Sequence, residues 1–435
     1  MRFYLALLAA AAALAAGRIA DPPSYRQLLR KLASSPDMQQ YMRDDPRSAG
    51  QLDVALDNDM DKTTLELIRE NGYVAEQHDV TTADGYILSL HRIPYGRDGP
   101  GEGPRTPVHL QHGLLSASSD WIMQPPERAL AYMLADRGYD VWLGNARGNT
   151  YSRSHVNITA DDPEFWKFTW DQMGQYDSPA MIDYILETTG QQQIFWVGHS
   201  MGTTMFWVMM NDHPEYNDKV ALMQGLGPVA RVDHMHSVIR IFAPYANEVE
   251  LLFKWFGENE FLPAGSHWMR IVQKYFCDRD HVEEELCRNA LFAIAGYDSK
   301  QFNLTALPII LAHTPAGAST RSVIHYAQEI NAEKFLHFDW GKEENIARYG
   351  QATPPEYDLS FVTCPVSLFW SDNDLLADPE DVAWLAEGLP NIIEKYRVPL
   401  AAFNHLDYLW AIDGDILVYN HVIENIQKFE NAQKH

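Results

Sequence analysis

Gly198-His199-Ser200-Met201-Gly202 is a G-x-S-x-G pentapeptide. A serine hydroxyl is a weak nucleophile until a base takes its proton, and that base needs an acid to orient it. Glycines on both sides let a strand and a helix approach closely across a sharp turn, which lifts the serine into reach of a substrate. The pentapeptide lies between an apolar run at 194–197 and a helical stretch at 203–211, the context in which the pattern carries chemistry.

The partners are expected in loops after later strands, acid first and histidine second. The apolar run 366–370 is followed by Ser371-Asp372-Asn373-Asp374, and then by Asp378-Pro379. Asp378 precedes a proline and a helical stretch, so it reads as an N-cap. Asp372 and Asp374 both sit in the turn, and strand geometry alone does not separate them; Asp374 is favoured. The run 392–398 is followed by a loop carrying His405, the candidate base, whereas His421 falls within the last helix and His435 is terminal. Ester cleavage also creates an oxyanion that needs two backbone N–H donors. Met201, directly after the serine, offers one. The segment His109-Leu110-Gln111-His112-Gly113-Leu114-Leu115 reads as a strand followed by an inward-turning loop, and Leu114 offers the other. His112 and Gly113 are expected to shape that loop rather than to act on substrate. Such a mechanism needs no metal and no cofactor, and the cysteines lack zinc-ligand spacing.

These residues need a frame. Runs at 80–82 and 86–91 flank Asp84-Gly85, a hairpin signal. Thereafter strands at 108–111, 141–143, 194–197 and 220–224 alternate with helices at 128–137, 179–189 and 203–211, the first two closed by Gly138 and Gly190. Such alternation with short connections predicts an α/β fold with a parallel sheet. It stops at about 229 and resumes at 366–370 with a helix at 379–387, a strand at 392–398 and a helix at 415–429. The intervening block reads as aromatic-rich helices, for example at 249–256 and 268–276, without a convincing strand pair.

The first 17 residues hold Arg2, an apolar run and small residues at Ala13, Ala15 and Gly17. This reads as a secretory signal peptide, because about 20 apolar residues are needed to span a bilayer. No later stretch is long and apolar enough to cross a membrane. The predicted organisation is a signal peptide at 1–17 and a polar extension or pro-segment at 18–57, with a short helix at 25–32. The first part of the sheet domain then covers 58–228, the helical insertion 229–358 and the second part of the sheet domain 359–435. Sequons at Asn157 and Asn303 fit an exported, secreted or lysosomal protein. In an oxidising compartment Cys277 and Cys287 are the natural disulfide pair, leaving Cys364, beside an apolar run, as a buried inert thiol. The 435 residues carry 34 basic and 59 acidic side chains, a net charge of −25, and 46% are apolar. That apolar share permits a large core, and the acidity argues against nucleic acid or anionic lipid surfaces as partners. Protonating all 17 histidines would leave the chain negative, so contact with lipid is expected to be apolar.

The stretches TTADGYILSLHRIPYG, LQHGLL, YDVWLGNARGNTYS, GHSMG, NDLLADPEDV and NHLDYLWA occur in this order over about 58–430. Together they resemble the acid lipase family of the α/β-hydrolases, which includes gastric lipase and lysosomal acid lipase. The resemblance implies an α/β-hydrolase fold, with a mostly parallel central sheet, helices on both faces and an inserted helical cap or lid. It implies Ser200 as nucleophile, Asp374 as acid, His405 as base and Leu114 and Met201 as oxyanion donors. The family's cap disulfide is similar to Cys277–Cys287. The implied substrates are neutral lipid esters, triacylglycerol or sterol ester, met at a droplet or emulsion interface. Three features depart from the family pattern. Met201 stands where glutamine is usual, Asp372 puts a like charge near Asp374 in place of a small residue, and 18–57 has no clear counterpart. Two other readings are a catalytically weak or inactive storage or yolk-type protein on the same scaffold, and a peptidase or other α/β-hydrolase.

Overall fold

The computed structural model describes residues 62–237 and 306–433, with a few isolated positions between them. The signal peptide, the extension, Cys277, Cys287, Asn303 and the helices expected at 249–256 and 268–276 lie outside the described residues.

Among the described residues, nine strands form one sheet. They are β1 (Glu76–Thr81), β2 (Tyr86–Ile93), β3 (Pro107–Gln111), β4 (Asp140–Leu143), β5 (Ser154–His155), β6 (Ile194–His199), β7 (Val220–Leu226), β10 (Val366–Trp370) and β11 (Ile392–Arg397), while β8 (Glu260–Phe261) and β9 (Ala318–Ser319) pair separately. The order is β1-β2-β4-β3-β6-β7-β10-β11, with β5 beside β2. From β4 to β11 every pairing is parallel, and β1, β2 and β5 add an antiparallel edge. The Asp84-Gly85 turn closes the β1–β2 hairpin, with Thr81 opposite Ile87 and Gly85 at φ 95°.

The central strands are buried on both faces, hence their nearly continuous apolar character. In β6, Ile194 and Trp196 enter one core cluster and Phe195 and Val197 the other. In β4, Trp142 points to the first and Val141 and Leu143 to the second. One cluster holds α4 (Met201–Asp212) and α3 (Ser178–Thr189) against the sheet; the other holds α2 (Leu130–Asp136) and α9 (Asn420–Gln433). These are the two helical layers that the alternation predicts. Gly190 closes α3 in the left-handed conformation at φ 68°, where its N–H donates to the Leu186 carbonyl. The last helix begins with a wider π turn at Asp415–Tyr419.

The inserted block differs from expectation in one respect. It contains the antiparallel β8–β9 pair beside α5 (Leu307–His313), α6 (Thr320–Ala332) and α7 (Lys342–Tyr349). Strands of two residues are too short to imprint a period of two on the sequence. Arg153 fixes this ribbon to the sheet domain through a forked pair to Glu260, at 2.6 and 2.9 Å. Cys364 is a buried free thiol, pushed up to about 12 by burial.

Candidate active site

Four loops at the carboxyl ends of parallel strands meet in one place, where open α/β sheets hold their ligands. The first follows β6. Ser200 has φ 54° and ψ −121°, a conformation that non-glycine residues avoid. It is held there because its N–H donates to the Leu226 carbonyl at 3.1 Å, while its own carbonyl accepts the Thr203 N–H at 2.8 Å and the Thr203 hydroxyl at 2.7 Å. Ser200 occupies the N-cap position of α4 without a side-chain capping bond and stays partly accessible in a largely buried neighbourhood.

The second and third loops follow β10 and β11. The Nδ1 atom of His405 lies 2.8 Å from Oδ2 of Asp374, and both side chains are almost fully buried. The other carboxylate oxygen of Asp374 accepts the N–H groups of Leu376 and Ala377, at 2.9 and 2.8 Å. A carboxylate so bound accepts from Nδ1–H, which leaves Nε2 of the neutral ring as a free base. Nε2 is buried and has no hydrogen-bond partner among the described residues. The two loops are tied together where Asn373 Nδ2 donates to the Ala402 carbonyl at 2.7 Å. Asp372 turns away from the site to Arg397, whose Nε donates to it at 3.0 Å. The guanidinium therefore neutralises the extra charge near Asp374, and it is Asp374 that reaches the imidazole. Asp378 caps its helix, accepting the Glu380 N–H at 2.9 Å.

Gly227, just past β7, was not anticipated. It has φ 53°, and a Cβ there would lie 3.0 Å from His405 Nδ1 and 3.1 Å from Asp374 Oδ2. The chain is thus laid directly over the His405–Asp374 bond. One residue earlier, the Leu226 carbonyl holds Ser200. The end of β7 therefore links the serine to the pair.

The fourth loop follows β3. A Cβ on Gly113 would fall 2.9 Å from Ser200 Cβ, so the 112–114 backbone runs against the serine. His112 holds this loop. The Ala146 N–H donates to its Nε2 at 3.0 Å, so in the neutral ring the proton is on Nδ1, which lies 2.7 Å from the Gly113 carbonyl. Burial pushes the His112 pKa down to about 4, keeping the ring neutral above that pH. In a planar trans peptide, C=O and the next N–H point in opposite directions. Pinning the Gly113 carbonyl to His112 therefore turns the Leu114 N–H to the other side. Neither the Leu114 nor the Met201 N–H has an intramolecular partner among the described residues. The Met201 side chain is buried in the core cluster and leaves only its backbone at the turn. Asn157 is exposed on the surface.

Residues 64–125 match the family described as a partial alpha/beta-hydrolase lipase region, and residues 106–412 match the alpha/beta hydrolase fold. The chain is 41% identical over 373 residues to a gastric triacylglycerol lipase of Bos taurus, covering 85% of this chain and 92% of that protein. It is 43% identical over 367 residues to Lipase 3 of Drosophila melanogaster, covering 84% and 93%. The human gastric triacylglycerol lipase is 41% identical over 368 residues, covering 83% and 90%. Among solved structures, a crystal structure titled as a putative lipase from Sulfolobus solfataricus superposes with a TM-score of 0.55 at 15% identity, covering 82% of this chain and 95% of that one, a likeness of fold.

Proposed function

This chain belongs to the lipase family of the α/β-hydrolases, and from that premise we propose that it hydrolyses neutral lipid esters through Ser200, His405 and Asp374. It is a carboxylic-ester hydrolase of the lipase type. Its substrates are triacylglycerol or sterol esters. Ser200 Oγ attacks the ester carbonyl as His405 Nε2 takes its proton. Asp374 keeps the ring in the Nδ1–H tautomer and stabilises the imidazolium. The Leu114 and Met201 N–H groups receive the oxyanion, a contribution of about 10²–10³-fold per donor. His405 then protonates the leaving alcohol, and water enters by the same path to free the acid.

The observation that carries this reading is the buried 2.8 Å His405–Asp374 pair, closed over by Gly227 beside the strained Ser200 turn. The free Nε2 and the two unpartnered N–H groups support it further. Export through the leader at 1–17, as a secreted or lysosomal protein, belongs to the same proposal, with Asn157 accessible for glycan. So do a Cys277–Cys287 disulfide and a cap spanning 229–358 that shelters acyl chains at a droplet or emulsion surface. No helix among the described residues is long and apolar enough to cross a membrane. Hydrolysis of emulsified trioctanoin and cholesteryl oleate between pH 4 and pH 9, with Ser200→Ala alongside, tests the reading. Wild-type lipolysis that vanishes in the variant is the expected result. A wild-type protein inert on every ester would point to a storage role instead, and activity on peptides alone to a peptidase.

A further inference from the structure

His199 precedes the serine and is fully buried at the end of β6. It takes part in none of the steps described above. Its Nε2 lies 3.0 Å from the backbone carbonyl of His405. A carbonyl only accepts, so Nε2 carries the proton and Nδ1 is left with a lone pair. Nδ1 is buried and has no hydrogen-bond partner among the described residues. The ring also packs at a tilt against its neighbours: its centroid is 4.7 Å from that of His405 and 6.1 Å from that of Tyr408, with interplanar angles of 41° and 45°. A Cβ on Gly113 would come within 3.2 Å of Nδ1. One side chain therefore touches the backbone of the base and the loop carrying Leu114, and it is covalently next to the nucleophile.

An orphaned buried acceptor is unfavourable and calls for a reason. If the position needed only bulk, an apolar ring would fill it without the orphan. What histidine adds is the single Nε2–H donor to His405.

We propose that His199 is a positioning residue for the base: its Nε2–H bond to the His405 carbonyl sets the placement of His405 relative to Ser200. The inference rests on the catalytic roles assigned above to Ser200 and His405. Burial, with His405 and His112 nearby, holds the His199 ring neutral by lowering its pKa well below the usual histidine value. The ring thus remains a neutral donor and places no positive charge beside the imidazolium formed in catalysis. His199 reaches the base through its main chain, whereas Asp374 reaches it through the ring, so the imidazole is held at both ends.

The test compares two substitutions of similar length, His199→Gln, which keeps an N–H donor near the Nε2 position, and His199→Met, which lacks one; His199→Phe serves as a second donor-free variant. Hydrolysis of p-nitrophenyl butyrate gives kcat and KM, and thermal unfolding reports the fold. General-base assistance is worth about 10²–10⁴-fold, and a displacement of about 1 Å costs on the order of 10²-fold. The donor-free variants should therefore lose about 10- to 100-fold in kcat with KM within about twofold, and His199→Gln should recover most of that loss. Equal losses in all three variants, or kcat near wild type in a folded donor-free variant, would overturn the inference and leave packing as the role of His199. A wild-type protein without esterase activity would instead refute the catalytic reading on which the inference rests.

Discussion

Replacing Gly227 by alanine separates the geometry of the His405–Asp374 pair from the stability of the fold. The new methyl group would stand 3.0 Å from His405 Nδ1, 3.1 Å from Asp374 Oδ2 and 3.2 Å from His405 Cε1, where ordinary contacts begin at about 3.4 Å. Both partners must retreat by a few tenths of an ångström, along directions that open their 2.8 Å bond. Since a misplacement of about 1 Å costs on the order of 10²-fold, kcat should fall about tenfold, with KM little changed. Alanine at φ 53° also pays a left-handed penalty of about 1–2 kcal/mol, which lowers the melting temperature by a few degrees. Gly190→Ala is the control. Its φ is 68°, but a Cβ there meets nothing within 4 Å. It should show a similar loss of stability and wild-type kcat. The assay is hydrolysis of p-nitrophenyl butyrate beside thermal unfolding of both variants. A Gly227→Ala enzyme with wild-type kcat, or a Gly190→Ala enzyme equally slowed, would show that Gly227 does not set the geometry of the pair.

Two further outcomes follow from buried groups. His112→Leu removes the bonds to the Gly113 carbonyl and the Ala146 N–H, so the Leu114 N–H loses its fixed aim; kcat should fall by about 10- to 100-fold while KM holds, and inhibition by a trifluoromethyl ketone, which would form an oxyanion on Ser200 as the proposed nucleophile, should weaken in parallel. Asp120 is fully buried near Thr314, and burial pushes its pKa up to about 7. Below the usual carboxyl range both the folded and the unfolded chain hold this proton. Between about pH 4 and pH 7 only the folded chain holds it, so stability falls as pH rises through that window. Asp120→Asn should therefore melt with the wild type at pH 4 and increasingly above it towards pH 8, and a difference that does not change with pH would contradict this.

The parts of the site that rest on local pattern were readable in the sequence. The G-x-S-x-G turn, the Asp-Gly hairpin and the Asp378 cap each depend on residues a few positions apart, and the strand–helix alternation follows from periodicity. The choice between Asp372 and Asp374 is different in kind. It depends on which turn residue meets His405 and which meets Arg397, partners that lie far along the chain. Gly227 and His199 were missed for the same reason. A glycine after a strand and a histidine inside a serine motif have ordinary local explanations, and their contacts with His405 arise only when β6, β7 and β11 lie in one sheet. The β8–β9 ribbon was hidden by its length.

The proposed pairing of Ser200 as nucleophile with His405 as its base is open to a covalent probe. Incubation with a fluorophosphonate, followed by peptide mass analysis, tests it most directly, because the probe reports the activated hydroxyl itself without any lipid surface. One adduct per chain is expected, on Ser200, formed rapidly in the wild type, slowly in His405→Ala and not at all in Ser200→Ala. An adduct on another residue, or labelling that is equally fast in His405→Ala, would contradict it.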